Sequence, residues 1–186
     1  MTFTPLTHLR RSIRLKGYDY SQAGLYFITF CCQNRRHLFG KIIYGKVILN
    51  NPGKIAEKCW FEIPKHFDNV VLHDFVIMPN HVPGIIEFTV GANQYSLKNI
   101  ETKKISSNGA NNDSFRPKSP SKTIGSVIRG FKIVVTKWMR QNTDIIDVWR
   151  RNYYDHIIQN DIAYYRISEY IKNNPKKWEN DKFFKL

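Results

Sequence analysis

Acidic side chains are scarce in this 186-residue sequence, where 15 Asp and Glu stand against 29 Lys and Arg and leave a formal net charge of +14. A chain so poor in carboxylates is drawn to polyanions, nucleic acid before others. Cysteine is also rare. Cys31 and Cys32 are adjacent and Cys59 is distant, a spacing that excludes a disulfide framework and a zinc pattern. The three read as reduced, buried thiols of a cytoplasmic protein. Long apolar runs are missing: none approaches the ~18 residues of a helical membrane span. The opening stretch "MTFTPLTHLRRSIRLKGYDYS" lacks the apolar centre of a signal peptide, so a cytoplasmic location, nucleoid-associated in a bacterium, is expected. No internal repeat is visible.

The chain is long enough for one domain with a real core. Aromatic residues make up 14% of it, and bases stack on such rings, although most of them belong to the core. "LYFITFCC" (25 to 32) has the β-branched and aromatic content of a buried strand, and "YGKVILN" suggests a shorter one. In "NPGKIAEKCWFEIPKHF" the period changes to that of a helix, with Ile55, Cys59 and Ile63 four apart and Asn51 with Pro52 at its start. Residues 71 to 88, "VLHDFVIMPNHVPGIIEF", read as two strands joined at "PN". Residues 91 to 119 lose apolar periodicity and read as a flexible insertion within a single domain spanning 1–186.

Ser121 or Thr123 can cap the next helix, whose apolar stripe is Ile124, Val127, Phe131, Val134 or Val135, and Trp138. Its other face carries Lys122, Arg129, Lys132, Lys137 and Arg140. "VWRRNYYDHIIQN" enters a short strand, and "DIAYYRISEYIKNNP" forms a last helix ended by Pro175. This order of elements predicts an α+β fold: one antiparallel sheet with helices packed mainly on one face.

Three ordered motifs carry a resemblance. "MPNHVP", "WRRNYYDHIIQN" and "ISEYIKNNP" occur in the order and spacing of the single-tyrosine HUH transposases, and the chain from "GLYFITFCCQNRRHLFG" to "EYIKNNPKKW" resembles the REP-associated tyrosine transposases among them. That resemblance implies a ferredoxin-like core, a homodimer, and a divalent metal, Mg2+ or Mn2+, held by a His-hydrophobic-His strand. It also implies a helix-borne tyrosine that cleaves and rejoins single-stranded or hairpin DNA through a 5′-phosphotyrosine intermediate. Carried over by motif, His81 is the first metal ligand, Val82 the hydrophobic residue, Tyr170 the nucleophile, and Asn174 the helix residue completing the metal site. Residues four apart share a helix face, as Tyr170 and Asn174 must to serve one site. Tyr153, Tyr154, Tyr164 and Tyr165 are competing phenols, and His156 lies in a family-like segment where a structural role, a DNA contact or a place at the edge of the site is expected rather than a direct metal bond. Arg129, Lys132, Arg150 and Arg151 are the candidate nucleic-acid contacts, chosen for exposed basic character near the motifs.

The departure is at position 83, where the pattern requires a second histidine and this sequence has Pro83. Proline offers no ligating atom and removes a backbone N–H from the strand. If "PN" is a two-residue turn, Asp74 shares the metal-facing side, diagonal to residue 83; a register shift by one brings His73 round instead. Three readings stand: a transposase impaired at Pro83 or rescued by another ligand, a catalytically inactive binder of hairpin DNA, and a decayed copy that keeps only the fold.

Overall fold

Alternation decides the first element. In β1 (Gly24–Cys31) Tyr26, Ile28 and Phe30 are buried on one face of the strand, while Leu25, Phe27 and Thr29 point to the other. The structure is a computed structural model, and it describes residues 22–89, 123–181 and 183–184. The insertion expected at 91–119 lies outside the described residues.

β2 (Gly40–Ile43) and β3 (Lys46–Leu49) form a separate hairpin turned by Tyr44 and Gly45, both at positive φ. Such a pair of residues matches the twist of the flanking strands. α1 (Asn51–Phe61) is capped by Asn50, one residue earlier than expected, whose side chain accepts the Gly53 N–H at 3.0 Å. Its buried stripe is Gly53, Ala56 and Trp60, continued by Ile63 of α2 (Ile63–His66). Ile55 and Cys59, expected inside, are only half-buried, because the large Trp60 ring takes the centre and stacks on Phe30 and Phe75 at 6.3 and 5.1 Å. Of the three cysteines, only Cys32 is fully buried.

β4 (Val70–Phe75) and β5 (His81–Phe88) pair antiparallel around the Pro79-Asn80 turn. α3 (Ile124–Asn142) opens with a capping box between Thr123 and Ser126. It buries Ile124, Val127, Ile128, Phe131, Val135 and Met139. Val135 rather than Val134 faces inward, and Met139 takes the buried place expected of Trp138, which is half-buried. β6 (Tyr154–Ile158) and α4 (Asp161–Asn173) complete the chain, the latter capped by Asn160 and followed by a short 3-10 segment, Pro175–Asn180.

The four main strands order as β4-β5-β1-β6, antiparallel throughout, which is the ferredoxin-like arrangement. α1, α2 and α3 cover one face, over Tyr26, Ile28, Phe30, Val82, Ile86 and Phe88. α4 covers the other, with Ile167 and Ile171 against Ile85 and Ile158. Period-two alternation therefore puts His81, Pro83 and Ile85 on the α4 side of β5.

Candidate functional site

The sheet delivers His81, and α4 with its C-cap residue delivers Tyr170 and Asn174, to the same side of the molecule. Tyr170 is about half-exposed and lines a cavity of about 1010 Å³ together with Asn174, Phe27, Tyr154, His156 and Asp181. Its ring meets Phe27 edge-on at 6.0 Å. Burial, reinforced by the Asp181 carboxylate, pushes the Tyr170 phenol up to about 12, while the neighbouring Asn174 amide works the other way. Asn174 is 2% exposed, and neither its amide nitrogen nor its oxygen completes a hydrogen bond of ordinary geometry.

His81 is not in that cavity. It is fully buried, with the Phe183 ring 4.5 Å away and Trp178 stacked at 6.1 Å. Phe183 is anchored there by its carbonyl accepting from Asn80 Nδ2 at 2.8 Å and its N–H donating to Asp181 at 2.7 Å. The Arg35 guanidinium lies 5.5 Å over its ring. Because Asn80 Nδ2 donates to two carbonyls, its Oδ1 is the atom facing His81 Nδ1 at 2.9 Å. That acceptor fixes the proton on Nδ1 and leaves the lone pair on Nε2, the tautomer of a ligand or a general base. Phe183 lines the cavity on one side and touches His81 on the other.

Pro83 is accommodated by where its missing N–H falls. The Val76 N–H donates to the Pro83 carbonyl at 3.2 Å, so the absent return bond would also run toward the β4 side, just beyond Phe75 where β4 has ended. The turn register follows the expectation from "PN", with Met78 bonded to His81 and Val76 to Pro83. A bulge between Leu72 and Phe75 then interrupts the ladder. It brings both His73 and Asp74 to α4, so the two alternatives coexist. His73 bridges Tyr164 at 3.2 Å and Glu87 at 2.8 Å, and Asp74 accepts from Ser168 and pairs with Lys172 at 3.3 Å. Asp74 is thereby committed to α4.

A divalent ion does not fit these donors. His81 supplies one imidazole, Asn174 one amide, Pro83 nothing, and among the described residues no three His, Cys, Asp or Glu side chains converge on a metal-sized position. Mg2+ and Mn2+ prefer a near-octahedral, oxygen-rich shell.

The four basic candidates do come together. Arg129, Lys132, Arg150 and Arg151 line one groove of about 680 Å³ between α3 and the segment leading to β6, joined by Lys137 and Arg140. No carboxylate lines it among the described residues. Trp149 and Tyr153 add rings to its wall. Lys132 departs from its expected exposure. It is half-buried, donates to the carbonyls of Arg150 at 2.9 Å and Asn152 at 3.3 Å, and lies over the rings of Phe30 and Trp149. Burial holds its ammonium down at about 8.

Among the competing phenols, Tyr154 shares the Tyr170 cavity, Tyr153 lies in the groove, and Tyr164 is bound to His73 with Tyr165 beside it. Sequence reasoning missed Phe27, Asp181 and Phe183. The strand alternation places Phe27 on the α4 face, but no local pattern marks the residues after Pro175.

The four-stranded sheet with its flanking helices has the fold of a solved REP-associated tyrosine transposase, determined bound to a REP hairpin. The two superpose with a TM-score of 0.58 at 17% identity, over 89% of this chain and 74% of the other. No protein-family model matches the chain. An uncharacterized protein of Haemophilus influenzae is 45% identical over 177 residues, 95% of this chain and 94% of that protein. The chain belongs to one family with that Haemophilus protein. No helix among the described residues is long and apolar enough to cross a membrane.

Proposed function

We propose that the chain is a transposase-like protein that binds single-stranded or hairpin DNA and whose strand-cleavage chemistry is attenuated at position 83. The observation carrying this reading is the groove, where Arg129, Lys132, Lys137, Arg140, Arg150 and Arg151 meet no carboxylate among the described lining residues. A lining of one sign beside aromatic rings suits a phosphate backbone with adjoining bases. The fold shared with a hairpin-bound transposase supports hairpin DNA as the ligand.

For cleavage, the Tyr170 oxygen would attack a phosphodiester phosphorus, form a 5′-phosphotyrosine and release a 3′-oxygen that takes up a proton. With a phenol pKa of about 12, only about one molecule in 10⁵ is phenolate at pH 7, and a phenol needs a cation or base beside it to be a competent nucleophile. His81 is the base with the right tautomer, but Phe183 stands between it and the cavity. Pro83 removes the ligand that would complete a metal shell. Binding therefore outlasts catalysis in this chain. The resemblance adds a homodimer as the expected assembly, which sedimentation of the DNA-free protein measures.

The test is a labelled hairpin oligonucleotide followed by fluorescence anisotropy and by denaturing gels with Mn2+. We expect salt-sensitive binding that survives chelator and Tyr170→Phe, with a covalent adduct only after Pro83→His. Absence of hairpin binding at low salt would overturn the reading, and an efficient adduct in the unaltered protein, lost with Tyr170→Phe, would overturn the attenuation.

A further inference from the structure

Among the described residues β6 is an edge strand of the sheet, and its alternation has a consequence for how DNA can lie on this surface. Tyr153 lines the basic groove and Tyr154, the next residue, lines the Tyr170 cavity on the opposite face. Consecutive Cα atoms are about 3.8 Å apart, so the two recesses open on either side of one strand. Lys132, bonded to the Arg150 and Asn152 carbonyls, holds the approach to that edge in place.

The two recesses differ in chemistry. The groove carries cations alone among its described charged groups, whereas the cavity mixes Arg166 and Lys177 with the carboxylates Glu169 and Asp181. A phosphate is favoured in the first and opposed by the carboxylates in the second. What the cavity offers instead is rings. Phe27 meets Tyr154 at 6.2 Å with 67° between planes and Tyr170 at 6.0 Å with 90°, so both tyrosines stand steeply against it. Tyr154 is 46% exposed and Tyr170 39%. The amides of Asn173, Asn174 and Asn180 line the same space, and amides can pair with base edges.

We propose that this cavity is a nucleobase subsite. DNA held by its phosphates in the groove passes over the β6 edge and places one unpaired base against Tyr154 and Phe27, beside Tyr170. The proposal rests on the DNA-binding reading above and deepens it, assigning Tyr154 as the stacking residue for the unpaired nucleotide. The cavity's volume, about 1010 Å³, exceeds that of any single base and leaves room for the sugar.

The experiment uses the full chain and a hairpin with single-stranded flanks, in which 2-aminopurine is moved one position at a time along each flank. Fluorescence reports stacking and anisotropy reports affinity. One flank position should be quenched on binding. Tyr154→Ala should abolish that quenching and weaken binding about 5- to 150-fold, the usual range for loss of one stacked base, while Tyr154→Phe should retain both. Arg150→Gln with Arg151→Gln should weaken binding but leave the quenching intact at saturating protein. Hairpin binding without a quenched position, or quenching indifferent to Tyr154→Ala, overturns the subsite and leaves the DNA-binding reading standing. Failure of the unaltered protein to bind any of these oligonucleotides overturns both. Circular dichroism of each variant separates lost stacking from lost folding.

Discussion

Replacing Arg150 and Arg151 with glutamine leaves a neutral polar side chain at each position and removes two of the groove's outward charges. Both residues are exposed, as are Arg129, Lys137 and Arg140, whereas Lys132 has turned inward to backbone carbonyls. Each cation that neutralises a phosphate contributes ~0.7 to the salt slope for a single strand and ~0.9 for a duplex. The five outward groups thus give a slope of about −3.5 to −4.5, and raising salt from about 50 to about 200 mM should weaken binding about 100- to 500-fold. The double variant should flatten that slope by about 1.4 to 1.8. Lys54→Gln with Lys58→Gln, on the exposed side of α1, should leave it unchanged. Anisotropy titrations of a labelled hairpin at several salt concentrations supply all three slopes. An unaltered slope in the groove variant, or equal flattening by the α1 variant, would show that DNA does not lie between α3 and β6.

Lys132, held at about 8 by burial, is protonated below that pH and loses its charge above it. Affinity for the hairpin should decline between about pH 7 and 9 and cease to do so in Lys132→Gln. Asp181→Asn removes the carboxylate that opposes ionisation of Tyr170, so ultraviolet titration should find the phenol pKa lowered. Gly84→Ala would place a methyl 2.7 Å from the Trp60 ring and 3.1 Å from the Phe75 Cβ, an overpacking that should cost about 1–3 kcal/mol in urea unfolding. Phe183→Ala removes the ring covering His81, and diethylpyrocarbonate should then modify His81 faster, as followed by peptide mass spectrometry.

Much of the fold is written locally. β1 and β5 are visible as apolar runs, α3 in its Thr123 cap and 3.6-residue stripe, and α4 between Asp161 near its start and the Pro175 that ends it. β2 escaped notice because four residues, half of them exposed, make no pattern. The error in α1 was a rotation by one residue, since spacing gives a period but not which phase the tryptophan claims. The site divides in the same way. The cations of α3 fall on one face by periodicity alone, but their meeting with Arg150 and Arg151 depends on where β6 joins the sheet. The contact of Phe183 with His81 links residues about a hundred positions apart, and no local preference encodes it.

The bulge in β4 means that α4 is clasped twice because the strand is one residue too long. A regular ladder would present either His73 or Asp74 to the helix, never both. Deleting one residue between Leu72 and Phe75 should therefore release one clasp while leaving the chemistry of every other side chain untouched. The seating of the tyrosine helix is thus governed by strand length, a quantity that insertions and deletions change and substitutions do not.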